Sequence, residues 1–138
     1  MTPSELKALA DAYLEHYSNP HEWDREMVLR ERDNGATQWA ADAVMDLAFE
    51  DPDGLWPLVL EVLQRDPPME VIEVLAAGPL EDYLAKRGDT VIDRVEKQAR
   101  SDPKFRSLLG GVWKNNMSDA VWARVQACWD RSEWDGGV

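Results

Sequence analysis

Residues 74–113 read VLAAGPLEDYLAKRGDTVIDRVEKQARSDPKFRSLLGGVW, and this stretch decides the fold class. Gly78-Pro79, with Glu81 two residues on, reads as a helix start, because proline is tolerated at the first helical position and an anion suits the first turn. Asp102-Pro103 repeats the signal: the proline drives Asp102 out of the α region, where its carboxylate can cap the helix behind it. Between and after these starts, Val91, Ile92, Val95 and Ala99, then Phe105, Leu108, Leu109, Val112 and Trp113, fall at helical spacing. No residue in the stretch is arranged as a nucleophile or a metal ligand. Gly110-Gly111 lies within a helical pattern with no lysine or serine following in phosphate-loop fashion, so close packing or a kink is the expected reason for it. Trp113 is expected to be buried with Phe105 and Leu109 on one helix face, so that Trp113→Ala would cost about 3–5 kcal/mol.

The same signals recur outward in both directions. Thr2-Pro3-Ser4-Glu5 is a capping box, and Asn19-Pro20-His21-Glu22 repeats its logic with asparagine as the cap. Asp51-Pro52 and Asp66-Pro67 are two further Asp-Pro starts, and Ser118 is the expected cap of the last helix. Leu6, Leu9, Ala10, Tyr13 and Tyr17 form one apolar stripe, and Trp39, Ala43, Val44, Leu47 and Ala48 form another. Leu55, Val59, Val62 and Leu63 follow, then Ile72, Leu75 and Ala76, and finally Val121, Trp122, Val125, Cys128 and Trp129. No run alternates with period two between tight turns, so no sheet is expected. The fold class is therefore all-α: eight to nine short antiparallel helices joined by brief connections, in a bundle or a repeat-like, HEAT-like stack. A chain of 138 residues is one domain by length. Within it, 1–32 reads as an N-terminal helical pair, 36–131 as the main body and 132–138 as a flexible tail, with a flexible point at Asp33-Asn34-Gly35. Most of the seven tryptophans are expected to anchor the core.

Three segments of this pattern carry a family resemblance: Leu75-Ala76-Ala77-Gly78-Pro79-Leu80-Glu81-Asp82, Phe105-Arg106, and Leu108-Leu109-Gly110-Gly111-Val112-Trp113. With Trp39 and the region from Asp51-Pro52 to Trp56, they make residues 39–113 resemble a family of small bacterial proteins known only as a domain of unknown function. The resemblance implies an all-helical fold and brings no activity.

Charge is the functional clue. The net charge of −12 comes from 27 acids and 15 bases, unevenly spread. Residues 33–85 hold twelve acids and a single base, Arg65, whereas 86–114 hold eight bases and four acids. Asp42, Asp46 and Glu50 are spaced four apart, where like charges on one helix repel by a few tenths of a kcal/mol. Such a surface attracts basic partners and repels phosphate, so a basic protein partner is expected and nucleic acid is not. The candidate partner-binding residues are Asp42, Asp46, Glu50, Asp51, Asp53, Glu61, Glu70 and Glu73. The basic set Lys86, Arg87, Arg94, Lys97, Arg100, Lys104, Arg106 and Lys114 is read as helix-end cations and pairs for the acidic third, within one chain or head to tail between copies.

Established catalytic motifs are missing. There is no GxSxG elbow, P-loop, GxGxxG or HExxH. His16 and His21 flank Asn19-Pro20 with no cysteine nearby, and Cys128 sits between Ala127 and Trp129 as a small apolar residue. No catalytic residue, metal site or cofactor is assigned. No stretch reaches the ~18 apolar residues of a membrane helix, the start does not resemble a signal peptide, and one cysteine allows no intrachain disulfide, which together point to the cytoplasm. The reading is a non-catalytic acidic interaction module, of which an immunity or antitoxin-like binder is one form. A carboxylate hydrolase or metal-dependent enzyme built on Glu70, Glu73, Glu81 and Asp82 is one alternative, and a DNA-mimicking inhibitor is another. Circular dichroism should show a helical spectrum, and a substantial sheet component would overturn the fold class.

Overall fold

The computed structural model describes residues 1–18 and 35–135. They form α1 (Pro3–Ser18), α2 (Gly35–Glu50), a 3-10 turn (Pro52–Gly54) leading into α3 (Leu55–Leu63), α4 (Met69–Leu75), a π turn (Ala76–Leu80), α5 (Glu81–Ser101), α6 (Pro103–Leu109) and α7 (Asp119–Cys128). No strand occurs among the described residues. Because α4 runs through the π turn into α5, the described residues hold six separate helical stretches, against the eight or nine expected over the whole chain. The Asn19–Glu22 cap, His21, the second helix of the N-terminal pair and the Asp33-Asn34 flexible point lie outside the described residues.

Several caps form as the local chemistry dictates. Glu5 N–H donates to Thr2 Oγ1 at 3.1 Å while Thr2 N–H reaches Glu5 Oε1 at 3.4 Å, the two arms of a capping box. Asp102 Oδ1 accepts from Lys104 and Phe105 N–H, and Ser118 Oγ accepts from Val121 N–H. Two expected starts are corrected. Asp66 does not cap α4: it has φ 48°, and the extended residue before the helix is Pro68. With two prolines in succession, Pro68 holds Pro67 out of the α region, so the helix begins only after both. Nor does Gly78-Pro79 start a helix. Pro79 is buried inside one, and the backbone widens to a π turn around it. An α turn would press the proline ring against the carbonyl four residues back, and the wider turn relieves that clash without breaking the helix.

The spine made by α4, the π turn and α5 touches every other helix. α4 packs on α1 and α6, the π turn on α2, α3 and α6, and α5 on α6, α7 and the 3-10 turn. α1 packs in turn on α2 and α3. Each of these faces is the apolar stripe of its own helix, so burial follows the 3.6-residue period. At the centre Trp56 stacks on Tyr83, with ring centroids 5.5 Å apart, and meets Phe105 edge-on at 5.4 Å. Arg94 caps the cluster, donating to the Tyr83 hydroxyl at 3.2 Å and lying over the Trp56 ring. The Tyr13 hydroxyl is buried with no hydrogen-bond partner among the described residues, and burial, then the nearby Tyr17, raises its pKa.

One further expectation is overturned at the end of α6. The helix stops at Leu109 in a turn through Gly110 and Gly111, so the periodicity that placed Trp113 on its buried face does not reach that residue. Trp113 is 74% exposed. Ser132–Asp135, the described part of the segment read as a tail, form a turn seated against the two glycines. A Cβ at Gly110 would lie 2.1 Å from the Asp130 carbonyl oxygen, and one at Gly111 2.3 Å from the Trp134 ring. The approach also brings donors from beyond the helix to carbonyls at the end of α6. Asp130 N–H donates to Arg106 O at 3.0 Å, Trp134 Nε1–H to Ser107 O at 2.7 Å and Arg131 to Gly110 O at 2.8 Å. Of the described tryptophans, Trp56, Trp122, Trp129 and Trp134 are half-buried against the core, and Trp39 and Trp113 are exposed. The fully buried aromatic anchors are Tyr13, Tyr83 and Phe105.

Gly111→Ala should therefore cost about 1–3 kcal/mol through overpacking, and most of that cost should disappear in a Trp134→Ala background. An equal cost in both backgrounds, measured by denaturant unfolding, would exclude the indole as the clashing group. Trp113→Ala should change stability by less than about 0.5 kcal/mol.

Candidate functional site

Helix α2 has the sequence GATQWAADAVMDLAFE and carries no lysine or arginine. Its inward face is Ala40, Val44 and Ala48, all buried. On the outward face Asp42, Asp46 and Glu50 follow one another at one-turn spacing, about 6 Å apart along the axis. All three are exposed. Apolar side chains flank this carboxylate ridge on both sides. Met45 and Phe49 lie along one side, 63% and 76% exposed. Trp39, Ala43 and Leu47 lie along the other, with Trp39 49% exposed. Trp39 was expected in the core stripe; it is instead exposed at the stripe's edge.

That second row forms a wall of a groove between α1 and α2 of ≈ 480 Å³, whose apolar lining includes Ala8 and Leu9 of α1. Glu5, Asp46, Glu50 and Asp51 add carboxylates to it, and neither lysine nor arginine is among its lining residues. Glu5 was missed by the sequence reading. Its signal was the capping box, which turns the first carboxylate of α1 to one end of that helix.

The basic residues that follow are largely engaged elsewhere. Arg87 pairs with Asp53 at 3.2 Å, Lys104 with Asp66, and Arg65 with Glu61 at 3.2 Å and Asp11 at 2.7 Å. Lys114 pairs with Asp119. Arg106 donates to the Ala99 and Arg100 carbonyls at the end of α5. Lys86 donates to the Ala48 carbonyl and lies 4.4 Å over the Phe49 ring, where it offsets the negative end of the α2 dipole. Lys97 and Arg100 are exposed on α5 with no ion pair among the described residues. The eight acidic candidates thus divide. Asp53 and Glu61 have cations. Asp42, Asp46, Glu50, Asp51, Glu70 and Glu73 are exposed without an ion pair among the described residues, although Asp42 accepts from Gln38 at 3.2 Å. Asp46, Glu50 and Asp51 come together at the groove; Glu70 and Glu73 lie on α4 and do not line it.

The carboxylates considered for hydrolysis have distinct surroundings. Glu81, 7% exposed, accepts from Trp113 N–H at 3.4 Å and from the Asn115 amide at 2.8 Å, and so holds the turn that points Trp113 outward. Burial pushes the Asp82 carboxyl above its usual range, against the opposing pull of Lys86. His16 Nδ1 lies 3.0 Å from Thr37 Oγ1, tying α1 to α2. Burial raises the Cys128 thiol pKa, away from the thiolate a nucleophile needs. Among the described residues no three His, Cys, Asp or Glu side chains are grouped to hold a metal ion, and no helix is long and apolar enough to cross a membrane.

A family model described as "Family of unknown function (DUF6869)" matches residues 27–133, so most of the groove, α2 included, lies within it. The chain belongs to this family. No curated protein and no solved structure matches it.

Exposed like charges contribute little to stability, so reversing Asp42, Asp46 and Glu50 to lysine should change it by no more than about 1 kcal/mol per site. A cooperative loss of folding in the triple variant, followed by thermal melting, would assign these residues a structural role instead.

Proposed function

We propose that this member of a family without an assigned activity is an acidic helical interaction module, non-catalytic and cytoplasmic, whose α2 face receives a basic protein partner. The observation that carries the reading is the division of charge. Of the eight bases of residues 86–114, Arg87, Lys104 and Lys114 are ion-paired within the chain and Lys86, Arg94 and Arg106 donate to carbonyl or hydroxyl oxygens, while the ridge Asp42–Asp46–Glu50 and Asp51 have no cation against them among the described residues. Uncompensated carboxylates repel one another, and an incoming basic surface removes that repulsion while its own charge is neutralised. An immunity or antitoxin-like protein of a bacterium, held against a basic toxin, is one concrete form of this role. In this reading the helices stack in a HEAT-like manner, with α2 left as a presented face.

The flanking rows of Met45, Phe49 and Trp39 favour a protein partner over imitation of DNA. A phosphate mimic needs charge alone, and large exposed apolar side chains point to a surface that becomes buried.

Capture from native lysate tests the proposal, with wild type and the triple lysine reversal compared at low and high salt. The wild type should recover proteins rich in lysine and arginine at low salt, and both the reversal and added salt should release them. Recovery of the same proteins by both forms, indifferent to salt, would show that α2 is only solvated surface.

A further inference from the structure

Exposed large apolar side chains are few among the described residues: Met1, Trp39, Met45, Phe49, Met69 and Trp113. Three of the six lie on α2, and Met1 lines the adjoining groove. Apolar exposure and uncompensated negative charge therefore coincide on one helix. On the 100° helical wheel the order across the outward face is Met45, Phe49, then the carboxylates Asp42 and Asp46 with Glu50 beside Trp39, then Ala43 and Leu47. The stripe is one side chain wide in each row and runs the length of the helix.

We infer that the α1/α2 groove with its acidic ridge is a docking site for a single basic amphipathic helix, a deepening that rests on the reading of α2 as the face for a basic partner. The repeat of the ridge supplies the geometry. Carboxylates one turn apart on a straight helix match lysines or arginines one turn apart on another helix lying along it, whereas an extended strand rises about 3.3 Å per residue with side chains on alternate faces. The groove supplies the anchor: its ≈ 480 Å³ has space for a leucine- or phenylalanine-sized side chain against Trp39, Ala43 and Leu47. Its rim supplies the selection. An anionic or uncharged helix with the same apolar face would meet Glu5, Asp46, Glu50 and Asp51 without compensation, while a basic one neutralises them. Anchors at i, i+3, i+4 and i+7 with basic residues beside them are the pattern of helix-in-groove recognition.

A random display library of 18-residue peptides, selected on wild-type protein and counter-selected on the triple lysine reversal, tests this. The inference expects recovered sequences with lysine or arginine at four-residue spacing and apolar residues at helical period. A labelled peptide of that kind should bind at least tenfold more weakly to Trp39→Ala, as read by fluorescence anisotropy, with circular dichroism confirming that the variant is folded. It should also bind at least tenfold more tightly than its scrambled isomer of equal charge. If basic peptides without helical pattern are recovered, and scrambling and Trp39→Ala leave binding unchanged, the groove inference is overturned while the reading of α2 as a basic-partner face stands. Recovery of neutral or acidic peptides, or of none, overturns both.

Discussion

Pro79 has no amide hydrogen, and the position of everything else follows from how the backbone accommodates it. A proline in mid-helix either breaks the helix or forces a wider turn. Here it is buried within a π turn, and the chain continues from Met69 to Ser101. That continuity gives the small domain one spine on which α1, α2, α3, α6 and α7 can all pack. A break at Pro79 would have divided the core between α4 and α5, and the π turn's own contacts with α2, α3 and α6 would be lost. Among the helices packed on the spine, α2 buries the small residues Ala40, Val44 and Ala48 and leaves its large residues Met45 and Phe49 outside.

Fold class was legible because caps are local. Thr2, Asp102 and Ser118 each bond an amide within a few residues, so a sequence read three positions ahead contains the whole interaction. Errors arose where a residue type serves two structures. Gly-Pro opens a helix or sits in a π turn; of the three Asp-Pro steps only Asp102 caps with its side chain, since Asp51 precedes its 3-10 turn without a side-chain cap bond and Asp66 is followed by a second proline. Trp113 was misplaced because a period was carried past a glycine stop. The glycines were read as close packing or a kink inside a helix; they instead follow its end, and the residue that approaches Gly111, Trp134, is 23 residues further on, where no local signal names it.

The candidate site was half legible. Composition revealed twelve acids against Arg65 in the middle of the chain, and the four-residue spacing placed Asp42, Asp46 and Glu50 in a line. Which carboxylates keep their charge open depends on pairs such as Arg87 with Asp53 and Arg65 with Asp11, 34 and 54 residues apart. The apolar rows were overlooked for another reason. Met45 and Phe49 fall off the main stripe of α2, and a helix with large apolar residues outside its stripe advertises a second contact face.

The exposure of Trp39 and Trp113 has an optical consequence. An indole in water emits at longer wavelength and is reached by small quenchers, so among the described tryptophans these two weight the red edge of the fluorescence and the half-buried ones the blue. Covering α2 shifts only one of the two red emitters. Replacing Trp113 with phenylalanine, at a position fixed by backbone contacts to Glu81 rather than by the ring, leaves Trp39 as the principal water-exposed indole among the described residues and turns the protein into its own gauge of occupancy at α2.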